Sequence, residues 1–256
     1  METVPDLTVT SDTDPYGAVA GLYDWLHVGP GSTDLVSFFA ELAPEGGTGL
    51  EIGPGTGRMT LAVAPRLSSL YCLERSAFMR TILLTKLASL PELREKVTVL
   101  DEAVPGFSLG RTFDYVYVSA VFEHVPPDAR QALFAGLAEH LAPGGIVAMD
   151  MVEDEVIPRF AEREIRSVRQ GDCRYTLSTA VTPVQPDLGQ VRHVYRTYLN
   201  DELLTTHTVE REHHMHRPAA VFADLRAVGL EPVAGTALTK TGTPLDDKGT
   251  LVAKRV

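Results

Sequence analysis

Between residues 48 and 151 short apolar runs alternate with stretches of helical periodicity, and this alternation restricts the fold more than any other feature of the chain. TGLEI, SSLYCLE, KVTVLDE, FDYVYVSA and GIVAMDM hold apolar residues at consecutive or alternating positions. GRMTLAVAPRL, SAFMRTILLTKLASL and DARQALFAGLAEHLA space them at three and four, with Gly144–Gly145 expected to close the last of these helices. Short buried strands separated by helices predict a parallel sheet covered on both faces.

The pattern changes after residue 152. RYTLSTAVTPV, QVRHVYRTYLN and LLTTHTVEREHHMH alternate apolar and polar residues across short turns, which predicts an antiparallel meander with one solvated face. The helix PAAVFADLRAVG and the strands LEPVAGTAL and GTLVAKRV then restore the α/β pattern. Upstream, YGAVAGLYDWLHVG and STDLVSFFAELA read as two leading helices, with Ser32 or Thr33 as N-cap of the second. The expected organisation is leading helices and core over 1–151, a β lid at 152–216, and a closing segment at 217–256 that completes the core.

Composition narrows the partners. A net charge of −11, from 23 basic against 34 acidic residues, repels phosphate backbones and argues against nucleic acid. No run reaches the ~20 apolar residues of a membrane span. The stretch METVPDLTVTSDTDPYG lacks the basic and apolar regions of a signal peptide. Cys72 and Cys173 supply neither a disulfide framework nor a zinc cluster. The expectation is a cytoplasmic protein with a small-molecule partner, away from membranes, with a homo-oligomer left open.

The first predicted strand runs into EIGPGTG, residues 51–57, a glycine-rich turn at the carboxyl edge of the sheet, where α/β proteins bind nucleotides. The dinucleotide fingerprint needs a third glycine at position 58, which is Arg58, and no Gly-Lys-Ser/Thr follows for a phosphate loop. Later strand tips add groups suited to an adenosine-bearing ligand. Glu74 in CLERS can accept from both ribose hydroxyls, and Asp101 in VLDEA can accept from an adenine amino group. The Glu102 backbone can line the ring edge, and Ser119 with Ala120 lies beneath the ligand.

LEIGPGTGR, LERSAFM, LDEA, FDYVYVSAVFEHV and LAPGG, in that order, resemble the class I S-adenosylmethionine-dependent methyltransferases over about residues 45–151. The resemblance implies a Rossmann-like seven-stranded α/β sheet with helices on both faces, its last strand antiparallel. It also implies S-adenosyl-L-methionine as cofactor, released as S-adenosyl-L-homocysteine. Carried onto this chain, Glu51 lies near the methionine portion, Gly53, Gly55 and Gly57 approach the cofactor closely, and Glu74 binds the ribose. Met79 packs against adenine, and Arg75, Asp101, Glu102 and Ser119 complete the cofactor-binding set.

The acceptor is less constrained. YGAVAGLYDWLHVGPG resembles the leading helix of methyltransferases acting on amino-sugar nucleotides and related natural-product amines. Tyr16 and Tyr23 are then candidates to contact the methionine carboxylate or wall the site, His27 stands where relatives often carry an aromatic hydroxyl, and Tyr23 and His27 are candidate catalytic residues. His124 in FEHVPP, just beyond the fourth strand, is either the catalytic base or a loop contact, and Phe122 is a candidate pocket wall or ordinary core. His214 and His216 share a face of REHHMHRP, and with His193 and Tyr195 they are candidate acceptor contacts. Hard ions prefer carboxylates to paired imidazoles, so no metal is expected.

The lid resembles that of small-molecule N-methyltransferases in layout. The resulting expectation is methyl transfer to an amine of an amino sugar or secondary metabolite, as in antibiotic biosynthesis. The alternatives are an O-methyltransferase with His124 as base, or a methyltransferase fold recruited to non-methylating chemistry such as cyclisation.

Overall fold

The computed structural model describes residues 14–27, 32–152, 157–233 and 248–256. The helices are α1 (Ala20–Leu26), α2 (Ser32–Leu42), α3 (Arg58–Val63), α4 (Ala77–Ala88), α5 (Pro91–Arg94), α6 (Arg130–Glu139) and α7 (Pro218–Ala227). The first five strands are β1 (Thr48–Ile52), β2 (Ser69–Leu73), β3 (Val97–Leu100), β4 (Phe113–Val118) and β5 (Leu141–Val152). They are followed by β6 (Phe160–Gln170), β7 (Cys173–Gln185), β8 (Leu188–Leu199), β9 (Glu202–His214), β10 (Leu230–Pro232) and β11 (Lys248–Arg255). The chain divides into two compact units, one of residues 1–29 with 156–213 and one of residues 30–155 with 214–256. Helix α1, which precedes the core in sequence, thus groups with the inserted sheet.

In the larger unit seven strands form one sheet in the order β10-β11-β5-β4-β1-β2-β3. Strands β1 to β5 pair in parallel, and β11 runs antiparallel to both β5 and β10, as the resemblance implied. Alternation within β1 sorts its side chains between two cores. Leu50 and Ile52 join Val116, Val118, Phe122 and Phe134 on one face, whereas Cys72, Tyr115 and Tyr117 pack with Phe39 and Met59 on the other. Glu51 points to that second face, where it bonds Cys72. Burying both faces explains why the strand sequences are nearly continuous apolar runs.

Local chemistry sets the element ends. Ser76 caps α4, its Oγ accepting from Met79 N at 3.1 Å, an interaction worth about 1 kcal/mol. Gly144 and Gly145 do not close α6, as the sequence led us to expect; they lie inside β5. Phe113 pairs with Leu141 but Tyr115 with Ile146, so the intervening β5 residues bulge, and Gly144 adopts φ +76°. The predicted strand LEPVAGTAL is described only as β10, residues 234–247 lying outside the described segments.

In the smaller unit β6-β7-β8-β9 form an antiparallel sheet. Only three lid strands are legible in the sequence; β6, FAEREIRSVRQ, is the fourth. Its charged, mostly exposed residues suit a sheet edge, and they mask the alternation that would have announced a strand. Helix α1 packs on one face of this sheet, where Val19 and Leu26 meet Leu177, Tyr195 and Val209. Among the described residues no helix is long and apolar enough to cross a membrane.

Candidate active site

The turn after β1 is built from three glycines in the left-handed region, Gly53 at φ +67°, Gly55 at +57° and Gly57 at +89°. The reason for glycine differs along the turn. A Cβ on Gly53 would lie 2.3 Å from Val121 Cγ2, and one on Gly57 would lie 2.4 Å from Leu83 Cδ1. A Cβ on Gly55 meets nothing within 4 Å, so there only the backbone conformation demands glycine. Lys86 Nζ donates to the Thr56 carbonyl at 2.7 Å and ties the turn to α4.

Glu74, at the tip of β2, is the centre of this edge. It is 7% exposed, with Oε2 accepting from Gly55 N at 2.9 Å and Oε1 from Ser76 N at 2.8 Å. Two fixed backbone donors orient the carboxylate at the tip of β2. The backbone turn and the oriented acid therefore fit the ribose of an adenosyl cofactor. Asp101, at the tip of β3, is exposed and held bidentate by Arg80 at 2.7 and 2.8 Å. Arg80 also donates to the Glu74 carbonyl at 2.6 Å, so one guanidinium fixes two adjacent strand tips. Met79 is buried at the start of α4, whereas Arg75 and Glu102 are exposed.

Glu51 occupies a different position from the rest of the set. It is 1% exposed, and its Oε2 accepts from Thr60 Oγ1 at 2.5 Å and Cys72 Sγ at 3.6 Å. Burial pushes its carboxyl up from 4.5 to about 7, with the Thr60, Tyr117 and Cys72 hydrogen bonds opposing that rise. Its carboxyl faces the core beneath the glycine turn.

At the exit of β4 the backbone is strained: Ala120 adopts φ +54°. That conformation costs a non-glycine residue roughly 1–2 kcal/mol and is held by Asp150 of β5. Asp150 is fully buried, with Oδ1 accepting from Ala120 N at 2.8 Å and Oδ2 from Ser119 Oγ at 3.4 Å. A 3-10 turn, Phe122–His124, follows, and His124 is partly exposed. Phe122 is completely buried, stacked on His216 at 4.1 Å and on Phe134 at 5.7 Å, which makes it core.

His216 also lies inside, 5% exposed. Its Nδ1 faces Arg130 Nη1 at 3.3 Å and its Nε2 faces the Phe122 carbonyl at 3.1 Å. Since guanidinium only donates and carbonyl only accepts, the ring is neutral with its proton on Nε2. Burial is the main reason its pKa falls from 6.5 to about 4. Arg130 is anchored in turn by Asp224, whose Oδ2 accepts from Nε at 2.6 Å. Both ring nitrogens are committed, so His216 braces the Phe122–His124 turn in place of the acceptor contact expected from the sequence.

The remaining candidates, apart from partly buried His214, lie in the smaller unit. Tyr23 stacks on His27 at 4.2 Å, and Tyr16 meets Tyr23 edge-on at 5.8 Å. His27 Nε2 and the Tyr195 hydroxyl are 2.6 Å apart, and His193 Nδ1 lies 2.9 Å from Thr179 Oγ1. Burial raises the Tyr195 phenol far above its usual range, so it stays protonated opposite His27 Nε2. The structure thus brings Tyr16, Tyr23, His27, His193 and Tyr195 onto one face. Among the described residues no cluster of three or more His, Cys, Asp and Glu side chains is placed to hold a metal.

Residues that sequence reasoning missed are Arg80, Lys86, Asp150, Arg130, Asp224 and Arg211. Asp150 alone carried a signal, an acid inside the apolar strand GIVAMDM.

Residues 50–147 match the methyltransferase domain family. No curated protein sequence matches the chain. Among solved structures, the sugar N-methyltransferase KedS8 from Streptoalloteichus sp. ATCC 53650 is similar at TM-score 0.76 and 19% identity, over 100% of this chain and 99% of that one. The amino pentose methyltransferase CalS10 from Micromonospora echinaspora, solved with S-adenosylmethionine, is similar at TM-score 0.69 and 20% identity, over 88% and 89%. DesVI from Streptomyces venezuelae is similar at TM-score 0.72 and 20% identity, over 93% and 97%. The matching methyltransferase domain coincides with the glycine turn and the acid-bearing strand tips, and the fold of the chain is that of the solved S-adenosylmethionine-dependent methyltransferases.

Proposed function

We propose that the chain methylates an amine of a small molecule, an amino sugar or a related secondary metabolite, in antibiotic-type biosynthesis. The observation that carries this reading is the likeness of nearly the whole chain, inserted sheet included, to a sugar N-methyltransferase and an amino pentose methyltransferase. The cofactor, when bound, supplies a sulfonium methyl that passes to nitrogen while sulfur keeps the bonding pair. The chain's own task is then to align the acceptor and to take one proton from it.

In this reading Glu74 orients the ribose, with Gly53, Gly55, Gly57, Asp101 and Ser119 completing the cofactor edge. His124 takes the amine proton, and the turn that carries it is braced by His216. Tyr23 and His27 are acceptor-side groups, with His193 and Tyr195 beside them. A leaving sulfide needs no acid, so positioning and exclusion of water supply most of the acceleration.

The test is release of S-adenosylhomocysteine with a panel of nucleotide-linked amino sugars and their hydroxyl counterparts, with products identified by mass. The mass gain of one methyl group, a CH3 replacing a hydrogen, is expected to be confined to the amines. Methylation of the hydroxyl members alone would move the reading to O-methyl transfer.

A further inference from the structure

Four arginines of the inserted sheet pair with carboxylates. Arg192 and Arg196 share Glu162 at 3.0 and 2.5 Å, and Arg169 and Arg174 share Asp201 at 3.1 and 3.2 Å. Arg211 has no carboxylate partner among the described residues. It lies on the face of β9 that also presents Val209 to α1, and its guanidinium carbon stands 3.9 Å from the centre of the Tyr16 ring. One Nη donates to the Tyr16 hydroxyl, while Nε is buried without a hydrogen bond.

Burial opposes the Arg211 charge, and the groups that favour it and hold its pKa above the ordinary value are the phenols of Tyr16, Tyr23 and Tyr195. Phenols are neutral near pH 7, so they do not balance a cation withdrawn from water. Packing does not require that cation either. A methionine would cover the Tyr16 ring and continue the apolar surface of Val209 with no charge to desolvate. Arg211 as a residue nevertheless keeps partial exposure, with its Nε among the buried atoms.

We propose that Arg211, set against the hydroxyl-bearing face of Tyr16 and Tyr23, is a receptor for an oxyanion, a phosphate or carboxylate carried by a ligand of the enzyme. The guanidinium fork matches both groups, and the phenols add donors while bringing no competing negative charge. The oxyanion belongs to the acceptor. This deepens the proposed function, and it rests on that reading only in taking the acceptor to be a small molecule that carries such a group.

The experiment compares the full-length enzyme with Arg211→Met and Arg211→Lys. Calorimetric titrations use inorganic pyrophosphate and, separately, S-adenosylhomocysteine; thermal melts are recorded in phosphate-free buffer with and without pyrophosphate. Pyrophosphate is expected to raise the wild-type melting temperature and to leave Arg211→Met unmoved. Arg211→Met alone is expected to melt above wild type, because the unbalanced charge is gone. Arg211→Lys keeps the charge without the fork and should bind pyrophosphate with intermediate affinity.

Loss of pyrophosphate binding in Arg211→Met with S-adenosylhomocysteine affinity unchanged supports the proposal, whereas a loss of about tenfold in S-adenosylhomocysteine affinity overturns it. If both ligands bind Arg211→Met as they bind wild type, or if pyrophosphate binds neither and S-adenosylhomocysteine is unaffected, the proposal is overturned. O-methylated products in the acceptor assay would overturn the amine reading and leave this site standing.

Discussion

The cofactor edge of the larger unit and the α1-covered face of the smaller one are both rich in polar side chains, but they are held in opposite ways. At the cofactor edge the backbone supplies the structure: three positive-φ glycines shape the turn, and Glu74 is oriented by the N–H groups of Gly55 and Ser76. On the α1-covered face side chains hold side chains, with His27 on Tyr195, Thr179 on His193 and Tyr16 on Arg211. Backbone geometry is set by the order of a few residues. A mosaic of side chains exists only after four strands have found their register. The first kind of site is rigid and tolerant of few residue types, while the second can be re-tuned one side chain at a time.

Gly53→Val should show the largest effect. Its Cβ would enter Val121 at 2.3 Å on a residue with φ +67°, costing about 3 kcal/mol or more. Gly55→Ala meets no neighbour and should cost only about 1–2 kcal/mol of backbone strain. Denaturant melts of the two check this, and equal destabilisation would break the distinction between packing and backbone control.

The pH dependence of stability separates two buried groups of the larger unit. Glu51 holds its proton up to about 7 when folded against 4.5 when unfolded, so its contribution is present at low pH and lost as pH rises through that window. His216 is the reverse, since its folded value of about 4 lies below 6.5. Its contribution is present above 6.5 and lost as pH falls toward 4. Each amounts to about 3 kcal/mol by the free energy of a pKa shift. Glu51→Gln should therefore leave stability rising with pH across the overlap, and His216→Gln should leave it falling. Melts at a series of pH values test the pair, and unchanged slopes would remove either group from its assigned role.

Glu74→Ala should weaken S-adenosylhomocysteine about 10- to 100-fold by calorimetry, since hydrogen bonds to a charged acceptor are worth ~1.5–3 kcal/mol. The smallest effect is expected on the other face. His27→Phe keeps the stack on Tyr23 but leaves the Tyr195 hydroxyl unpaired, at a cost of about 1 kcal/mol of stability. If that substitution cost as much as Gly53→Val, the contrast between the two regions would fail.

The cofactor edge was legible because its determinants are local. Gly53, Gly55 and Gly57 announce a turn no other residue accepts, and Glu74 follows a strand of readable length. Arg80 was invisible, because its bridge from Glu74 to Asp101 depends on which strands lie side by side. Strand β6 escaped notice because its charges obscured alternation. The leading helix was readable as a helix, but nothing in its residues announced that it would group with a sheet beginning more than a hundred positions later.

His216 and Phe122 show the limit most clearly. In sequence each is a polar or aromatic residue near the site, equally fit for a pocket wall or for the core. Burial and the commitment of both ring nitrogens resolve that choice, and they follow from α6, α7 and the β4 exit meeting in space. Sequence alone determined the layered α/β fold, the glycine turn and the acids at successive strand tips, because periodicity and backbone conformation are local properties. Tertiary structure decided that Glu51 faces the core, that Arg80 ties two strand tips, and that Arg211 lies among phenols with no carboxylate partner among the described residues. Those facts depend on long-range neighbours, and no local pattern encodes them.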